Sequence, residues 1–373
     1  MFKTAVRFII YDKAKSAGAL FGVIISIFLI GQQVGIFIFL TNMMSNLVDH
    51  IDADIWVVDN RSTNVNALGQ IASKYQREVW SVPGVAYAYP LVIAGSSAKF
   101  MDGSSGGVSL VGSQSPAFVG GPWNITGGEV QKLLFDNAVT TDVYDSKLLG
   151  GAHLGTNFEI GGKRVWVALQ TSGARGFGAS YVFTTIERAI YLGKLPADKI
   201  SAVLVKLEPG ADKETVVKAI NSNIFGVKAW TKKDFSSATV STVLASSGIA
   251  TSVGTLILFA IISGSIIIGL TLYSAATDRL KDYATLKAIG ATNSYVRNLI
   301  LIQALIFALT GFVTGVALME MFRAGIAKAG VMFNYTLPIY LAFALITVLI
   351  STGGAVAAIR RIVKVEPASV FRM

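Results

Sequence analysis

Four stretches of the chain contain no Asp, Glu, Lys or Arg: Ser16–Val48, Phe235–Thr277, Asn298–Met319 and Ala329–Ile359. Each is longer than the roughly 20 residues that carry an α-helix across the hydrocarbon core of a bilayer. A soluble helix of that length keeps a polar face, and these stretches have none. The pattern predicts four spanning helices, at 17–41, 249–274, 298–320 and 337–359. Ahead of the first, Phe2, Ala5, Val6, Ile9 and Ile10 recur at i, i+3, i+4, i+7 and i+8, while Lys3, Arg7 and Asp12 fall off the stripe. That spacing predicts a short amphipathic helix within 1–16, lying on the inner membrane surface.

After the first span the pattern changes to short β-prone runs between Gly/Ser turns. Ala53–Val58, Val85–Ile93, Val108–Gly112, Asn157–Ile160 and Lys163–Gln170 read as strands. Gly161-Gly162 joins the last two as a hairpin turn. Val65–Val79, Lys213–Ile220 and part of Ala138–Leu149 read as helices, with Asp212 the N-cap of the second. The fold class is an α-helical membrane protein with four transmembrane helices and a large α+β extracytoplasmic domain between the first and second. The boundaries follow: first span and stalk 17–48, extracytoplasmic domain 49–240, second span 241–276, cytoplasmic loop 277–297, third span 298–320, short outer loop 321–336, fourth span 337–359 and cytoplasmic tail 360–373.

Charge fixes the orientation. The 373 residues are 53% hydrophobic and 14% charged, with a net charge of +10. Lys3, Arg7, Lys13 and Lys15 precede the first span. Arg279, Lys281, Lys287 and Arg297 lie between the second and third, and Arg360, Arg361, Lys364 and Arg372 follow the fourth. Only Arg323 and Lys328 lie between the third and fourth. The positive-inside rule places both termini and the 277–297 loop in the cytoplasm. The first span lacks a clean A-x-A cleavage site, which predicts an uncleaved signal anchor. Between residues 42 and 245 there are 18 basic and 17 acidic side chains. An electrostatic grip on nucleic acid needs a basic excess, so nucleic acid is not an expected partner.

Candidate chemistry is sparse. The chain has no Cys, which excludes disulfides and Cys-ligated metals. It has no G-x-x-x-x-G-K-S/T phosphate loop, no H-E-x-x-H and no G-x-S-x-G. No acid/base pair stands out among its carboxylates, so no catalytic residue and no metal site are assigned. His50 lies near Met43 and Met44; His and Met can ligate haem, but Met is also a common gap-filler. Gln32 and Gln33 lie within the first span, where an amide needs a polar neighbour. With Met43 and Met44 they are candidates for a substrate path or a dimer seam, against ordinary helix packing. Gly18/Gly22, Gly31/Gly35 and Gly311/Gly315 are small-x-x-x-small motifs that permit close helix approach. Glu320 and Arg323 share a helical face and can pair as interfacial anchors. In the 277–297 loop, Leu280, Tyr283, Ala284 and Ala288 share another, and Gly290 is placed to end that helix. Such a helix packs on either the membrane surface or a cytoplasmic partner protein.

Arg279–Ala291, RLKDYATLKAIGA, closely resembles the cytoplasmic loop of FtsX/MacB-type ABC transporter permeases. The ending Glu366–Arg372 is similar to that family's Pro-Ala-x-x-x-Arg tail. ADIWVV, VPGVAYAYPL, LVGSQSPAF, GGKRVWVALQ and LVKLEPGADKETV match its outer domain in order. Gly173–Ala179 and DYATLKAIGA are most similar to the DevC-like branch, which has no fused ATPase. Asp282-Tyr283 stands where the family often has Glu-Ile. The resemblance implies the permease subunit of an exporter in the bacterial inner membrane, expelling a lipid, glycolipid or other amphiphile by mechanical movement of its helices and outer domain. It implies no enzyme activity and no cofactor in this chain; ATP and Mg would be held by a separate ABC ATPase subunit. It implies a coupling site at Asp278, Arg279, Lys281, Asp282, Tyr283, Leu286, Lys287, Ala288, Ile289, Gly290 and Ala291, with the charged residues facing the ATPase and the apolar face seated in its groove. Further implied partners are a second copy of the chain, membrane lipids and a membrane-fusion adaptor protein. Two other readings share the layout: an FtsX-like mechanotransmitter acting on an extracytoplasmic partner, and an HrtB-like haem exporter.

Overall fold

The computed structural model describes residues 1–11, 13–278 and 280–363. Asp12, Arg279 and the Glu366–Arg372 tail lie outside the described residues. The chain divides into a membrane unit, Met1–Phe39 with Ile249–Met373, and a sheet unit, Leu40–Gly248.

In chain order the first elements are helices α1 (Phe2–Tyr11) and α2 (Lys13–His50), strands β1 (Ile55–Asp59) and β2 (Ile71–Ala72), helix α3 (Tyr75–Trp80), and strands β3 (Val85–Lys99) and β4 (Ser105–Ser113). Strands β5 (Ile125–Gly128), β6 (Ala138–Asp142), β7 (Asn157–Ile160), β8 (Lys163–Thr171) and β9 (Ser180–Thr185) lead to helix α4 (Ile186–Gly193). Then come β10 (Lys199–Ile200), β11 (Ala202–Leu207), α5 (Lys213–Asn223), β12 (Val227–Thr231) and α6 (Lys232–Ser247). The chain closes with α7 (Ile249–Asp278), α8 (Leu280–Ala288), α9 (Asn293–Ala327) and α10 (Leu337–Val363).

Helices α2, α7, α9 and α10 are each long and apolar enough to span a membrane. Glycines set their spacing. A Cβ on Gly311 would lie 2.7 Å from Val23 Cβ, one on Gly315 3.1 Å from Ile27 Cβ, and one on Gly31 2.9 Å from Met319 Cγ. The paired numbers 23/311, 27/315 and 31/319 rise together, so α2 and α9 run parallel. Against α7 the pairs Gly18/Thr271, Gly22/Ile267 and Ser26/Gly264 run oppositely. Gly35 meets Phe333 and Tyr335. Each of the three small-x-x-x-small motifs thus places a glycine against another segment of the same chain. A further approach is one the motifs did not show: a Cβ on Gly354 of α10 would sit 2.9 Å from Gly269 N and 3.0 Å from Ser265 O of α7. Here backbone meets backbone. Toward the far end of α9, Arg323 Nε donates to Glu320 Oε2 at 2.7 Å, Arg323 Nη1 to Asn334 Oδ1 at 3.0 Å, Tyr340 OH to Glu320 Oε1 at 2.5 Å, and Tyr335 OH to Gly31 O at 2.8 Å.

The sheet unit is a ten-stranded sheet ordered β12-β1-β11-β3-β7-β8-β5, with β4 on β3 and β9, and β6 on β8. Only the β4/β9 and β6/β8 pairs are parallel among the described strands. Period-2 alternation sends Ile55 and Val57 to one core, with Val79, Ala189, Leu192, Val216 and Ile220 from α3, α4 and α5. Trp56 and Val58 enter the opposite core, with Leu47, Val48 and Ile51 of α2 and Phe235 of α6. Both faces are therefore covered. Gly161 and Gly162, at φ +60° and +77°, make the tight turn between β7 and β8. Asp212 caps α5 by accepting from Thr215 N at 2.8 Å.

Two expectations are corrected. Val65–Val79 is not one helix: a short 3-10 turn at Val65–Ala67 and strand β2 precede α3. Its Ile71 instead pairs with Ile200 of β10. Ala138–Leu149 begins as strand β6, because Val139, Thr140 and Thr141 are β-branched and pair with β8; Val143–Asp145 then makes a 3-10 turn.

Asp142, at the end of β6, is fully buried. Its Oδ1 accepts from Tyr144 N at 3.0 Å, and its Oδ2 from Thr171 Oγ1 at 2.9 Å and Ala174 N at 2.8 Å. Burial raises its pKa, against the opposing pull of those donors. Asp142→Asn turns an NH2 group toward N–H or O–H donors and is expected to cost about 1–3 kcal/mol. A raised folded-state pKa means stability present below the unfolded value and lost as pH rises through the folded one. The variant lacks that component. All five Trp, at 56, 80, 123, 166 and 230, lie in the sheet unit, so denaturant titrations followed by Trp fluorescence at acid and neutral pH measure both effects.

Candidate functional site

Helix α8 lies between α7 and α9, with Asp282 in its first turn and Lys287 in its last, complementing its dipole. Its end is built as expected: Gly290 adopts φ +102°, and Ala291 N donates back to Leu286 O at 2.9 Å. Thr292 then caps α9 through Tyr295 N at 3.2 Å.

The apolar face of α8 is already occupied. Tyr283 is 2% exposed and Ala284 1%. The Tyr283 ring lies 5.5 Å, centroid to centroid, from that of Phe8 on α1. Both helices belong to the core that contains Ala5, Val296, Leu299 and Ile300. The expectation that this face seats in a partner's groove is therefore corrected for Tyr283, and Leu286 is half-buried against the same core. Lys287 is also half-buried, and burial lowers its pKa. What α8 presents outward is different: Lys281, Asp282, Ala288 and Gly290 are exposed, Ala291 is partly so, and Ile289 is 76% exposed. Asp278 pairs with Lys15 at the start of α2. Arg279 and the Leu280 side chain lie outside the described residues. Among the described residues, Ile289 is thus the large apolar side chain left exposed at the end of this short helix, with the charged Lys281 and Asp282 exposed near its start.

Of the other candidates, Gln32 and Gln33 are half-buried on α2, and neither side-chain amide has a hydrogen-bond partner among the described residues. Met44 is fully buried, its carbonyl accepting from Asn66 Nδ2 at 2.8 Å. It is a core residue of the sheet unit, which removes it from any exposed path. His50 stacks on Trp123 at 4.8 Å, with Nδ1 3.0 Å from Asn46 O. Among the described residues no group of three or more His, Asp or Glu could hold a metal ion.

Met43 lies elsewhere. It lines a cavity of about 420 Å³ in the sheet unit, with Ser105, Gly106, Asp145, Leu148, Arg175 and Gly178 among the other walls. Arg175 Nε donates to Asp145 Oδ1 at 2.6 Å, their side chains 18% and 3% exposed. Asn46 Nδ2 donates to Gly173 O at 3.0 Å and Arg175 O at 2.8 Å, fixing the Gly-rich loop to the end of α2. Sequence reasoning marked Met43 and the Gly173–Ala179 run separately. It missed Asp145, which lies 30 residues from its partner.

Residues 254–367, covering most of α7 together with α8, α9 and α10, match the model of the FtsX-like permease C-terminal family. An uncharacterized ABC transporter permease of Mycobacterium tuberculosis, found in two strains, is 31% identical over 106 residues. That match is 28% of this chain and 30% of the relative, so the chain spans under a third of the length of the curated relatives it matches. Residues 254–367 thus resemble the C-terminal domain of FtsX-like permeases, and a 106-residue stretch of the chain is similar to an ABC transporter permease. Among solved structures, the extracellular domain of the noncanonic ABC-type transporter YknZ from Gram-positive bacteria aligns at TM-score 0.36 and 12% identity, over 48% of this chain and 99% of that one. The periplasmic region of MacB from Actinobacillus actinomycetemcomitans aligns at TM-score 0.38 and 8% identity, over 54% and 99%.

Proposed function

We propose that this chain is the permease subunit of an ABC exporter, with ATP and Mg bound by a separate ATPase subunit that docks on α8. The observation that carries the reading is Ile289, a large apolar side chain left exposed just after α8, while Tyr283 and Ala284 of that helix are buried in their own chain. The family match over residues 254–367 supports it. ATP binding and hydrolysis move the spans and the extracytoplasmic domain, and a lipid, glycolipid or other amphiphile is expelled from the outer side of a bacterial inner membrane. Two permease chains assemble with the ATPases, and a membrane-fusion adaptor completes the export route. The exposed apolar residues of α7, α9 and α10, such as Phe259, Leu309 and Leu345, supply lipid-facing or pairing surface.

The test is ATP turnover in proteoliposomes holding both subunits, with and without an amphiphile. Turnover that rises with the permease and again with the amphiphile is expected; turnover indifferent to the permease rejects the reading. Topology has its own check. Because the chain has no Cys, Asp102→Cys and Lys281→Cys are expected to react with an impermeant maleimide from opposite sides of the membrane. Reaction from one side overturns the orientation.

A further inference from the structure

The 420 Å³ cavity beside Met43 falls within the usual size range of small-molecule sites, and its chemistry is specific. Arg175 is held by Asp145 through Nε alone. Its terminal Nη groups have no hydrogen-bond partner among the described residues. Asp145 is the deeper of the two, 3% exposed against 18% for Arg175, so its charge orients the guanidinium from behind. An Arg braced on one edge keeps the other free for a bidentate oxyanion. Gly176 and Gly178 line the same cavity, and among the described residues their N–H groups have no hydrogen-bond partner, although Gly176 is buried. Oriented loop N–H groups beside a cation are a recurring anion-binding arrangement. Ser105 and Ser180 add hydroxyls, while Met43 and Leu148 line the same cavity as apolar wall. The loop is kept in place by Asn46 and by Asp142, whose carboxylate accepts from Ala174 N.

We infer that this cavity binds the phosphate head group of an amphiphile. Arg175 Nη and the loop amides take the phosphate oxygens, and Met43 and Leu148 meet the first carbons of the attached chain. The inference deepens the exporter reading by naming a substrate class, but its test contains no ATPase and stands apart from coupling.

The experiment is calorimetric titration of the full-length chain in dodecyl maltoside with dihexanoyl phosphatidic acid, inorganic phosphate and uncharged dihexanoylglycerol. Phosphatidic acid is expected to bind, inorganic phosphate to compete at least tenfold more weakly, and dihexanoylglycerol not to bind. Arg175→Lys keeps the charge and loses the fork, and is expected to weaken binding at least tenfold. Leu148 is 65% exposed, so Leu148→Glu and Leu148→Lys leave the fold intact. The first is expected to weaken binding about tenfold and the second to maintain or tighten it. Wild-type affinity in both Arg175→Lys and Leu148→Glu overturns the site. Equal affinity for dihexanoylglycerol overturns its preference for phosphate, and equal affinity for inorganic phosphate overturns its assignment to an amphiphile.

Discussion

Replacing Ile289 by aspartate is expected to abolish ATPase coupling while leaving the permease folded. Ile289 is 76% exposed, so the substitution removes no packing within the chain. At a protein interface a single buried apolar anchor is commonly worth about 2 kcal/mol or more, and neighbouring contacts much less. An aspartate there adds the cost of desolvating a carboxylate at the interface. The expected result is at least a tenfold loss of permease-dependent ATP turnover, with an unchanged unfolding temperature. Tyr283→Ala provides the contrast. Its ring is buried against Phe8, and emptying such a site costs about 3–5 kcal/mol. That variant is expected to lose stability first and coupling as a consequence.

Gly354→Val is expected to have the largest effect on the membrane unit. The new Cβ would fall 2.9 Å from Gly269 N and 3.0 Å from Ser265 O. Neither is the movable end of a side chain, so α7 and α10 must separate. Overpacking a tight core costs about 1–3 kcal/mol, occasionally more, and the upper end applies where backbones touch. Gly31→Ala makes the comparison sharp. There the neighbour is Met319, whose flexible thioether can turn aside. Thermal unfolding in detergent is expected to drop by several degrees for Gly354→Val and far less for Gly31→Ala.

The spans were legible because hydrocarbon tolerates no unpaired charge, and four charge-free runs leave few other readings. Their ends were not. Helix α9 continues to Ala327, past the expected 320, because Glu320 and Arg323 pair with each other and with Tyr340 and Asn334 instead of ending it. Strand β6 was misread because five residues, AVTTD, carry too little periodicity to outweigh a helical reading. The loop helix at α8 was legible from its apolar spacing and from Gly290. Its inward face was not assigned correctly, since the ring that fills it comes from Phe8, 275 residues earlier in the chain. The cavity beside Met43 was hidden for the same reason. Met43, Asp145 and Arg175 come from three distant segments, and only the folded sheet unit brings them together.

The account's central claim is that the ATPase docks on α8 at Ile289. In the Cys-free chain, Ile289→Cys can be labelled with a maleimide-benzophenone and, on irradiation, joined through C–H insertion to the co-expressed ATPase subunit, reading the product by mass on a denaturing gel. The account predicts a permease–ATPase adduct from Ile289→Cys and none from Asp102→Cys in the sheet unit. An assembled complex that gives no adduct at 289, or gives one at 102, would contradict it.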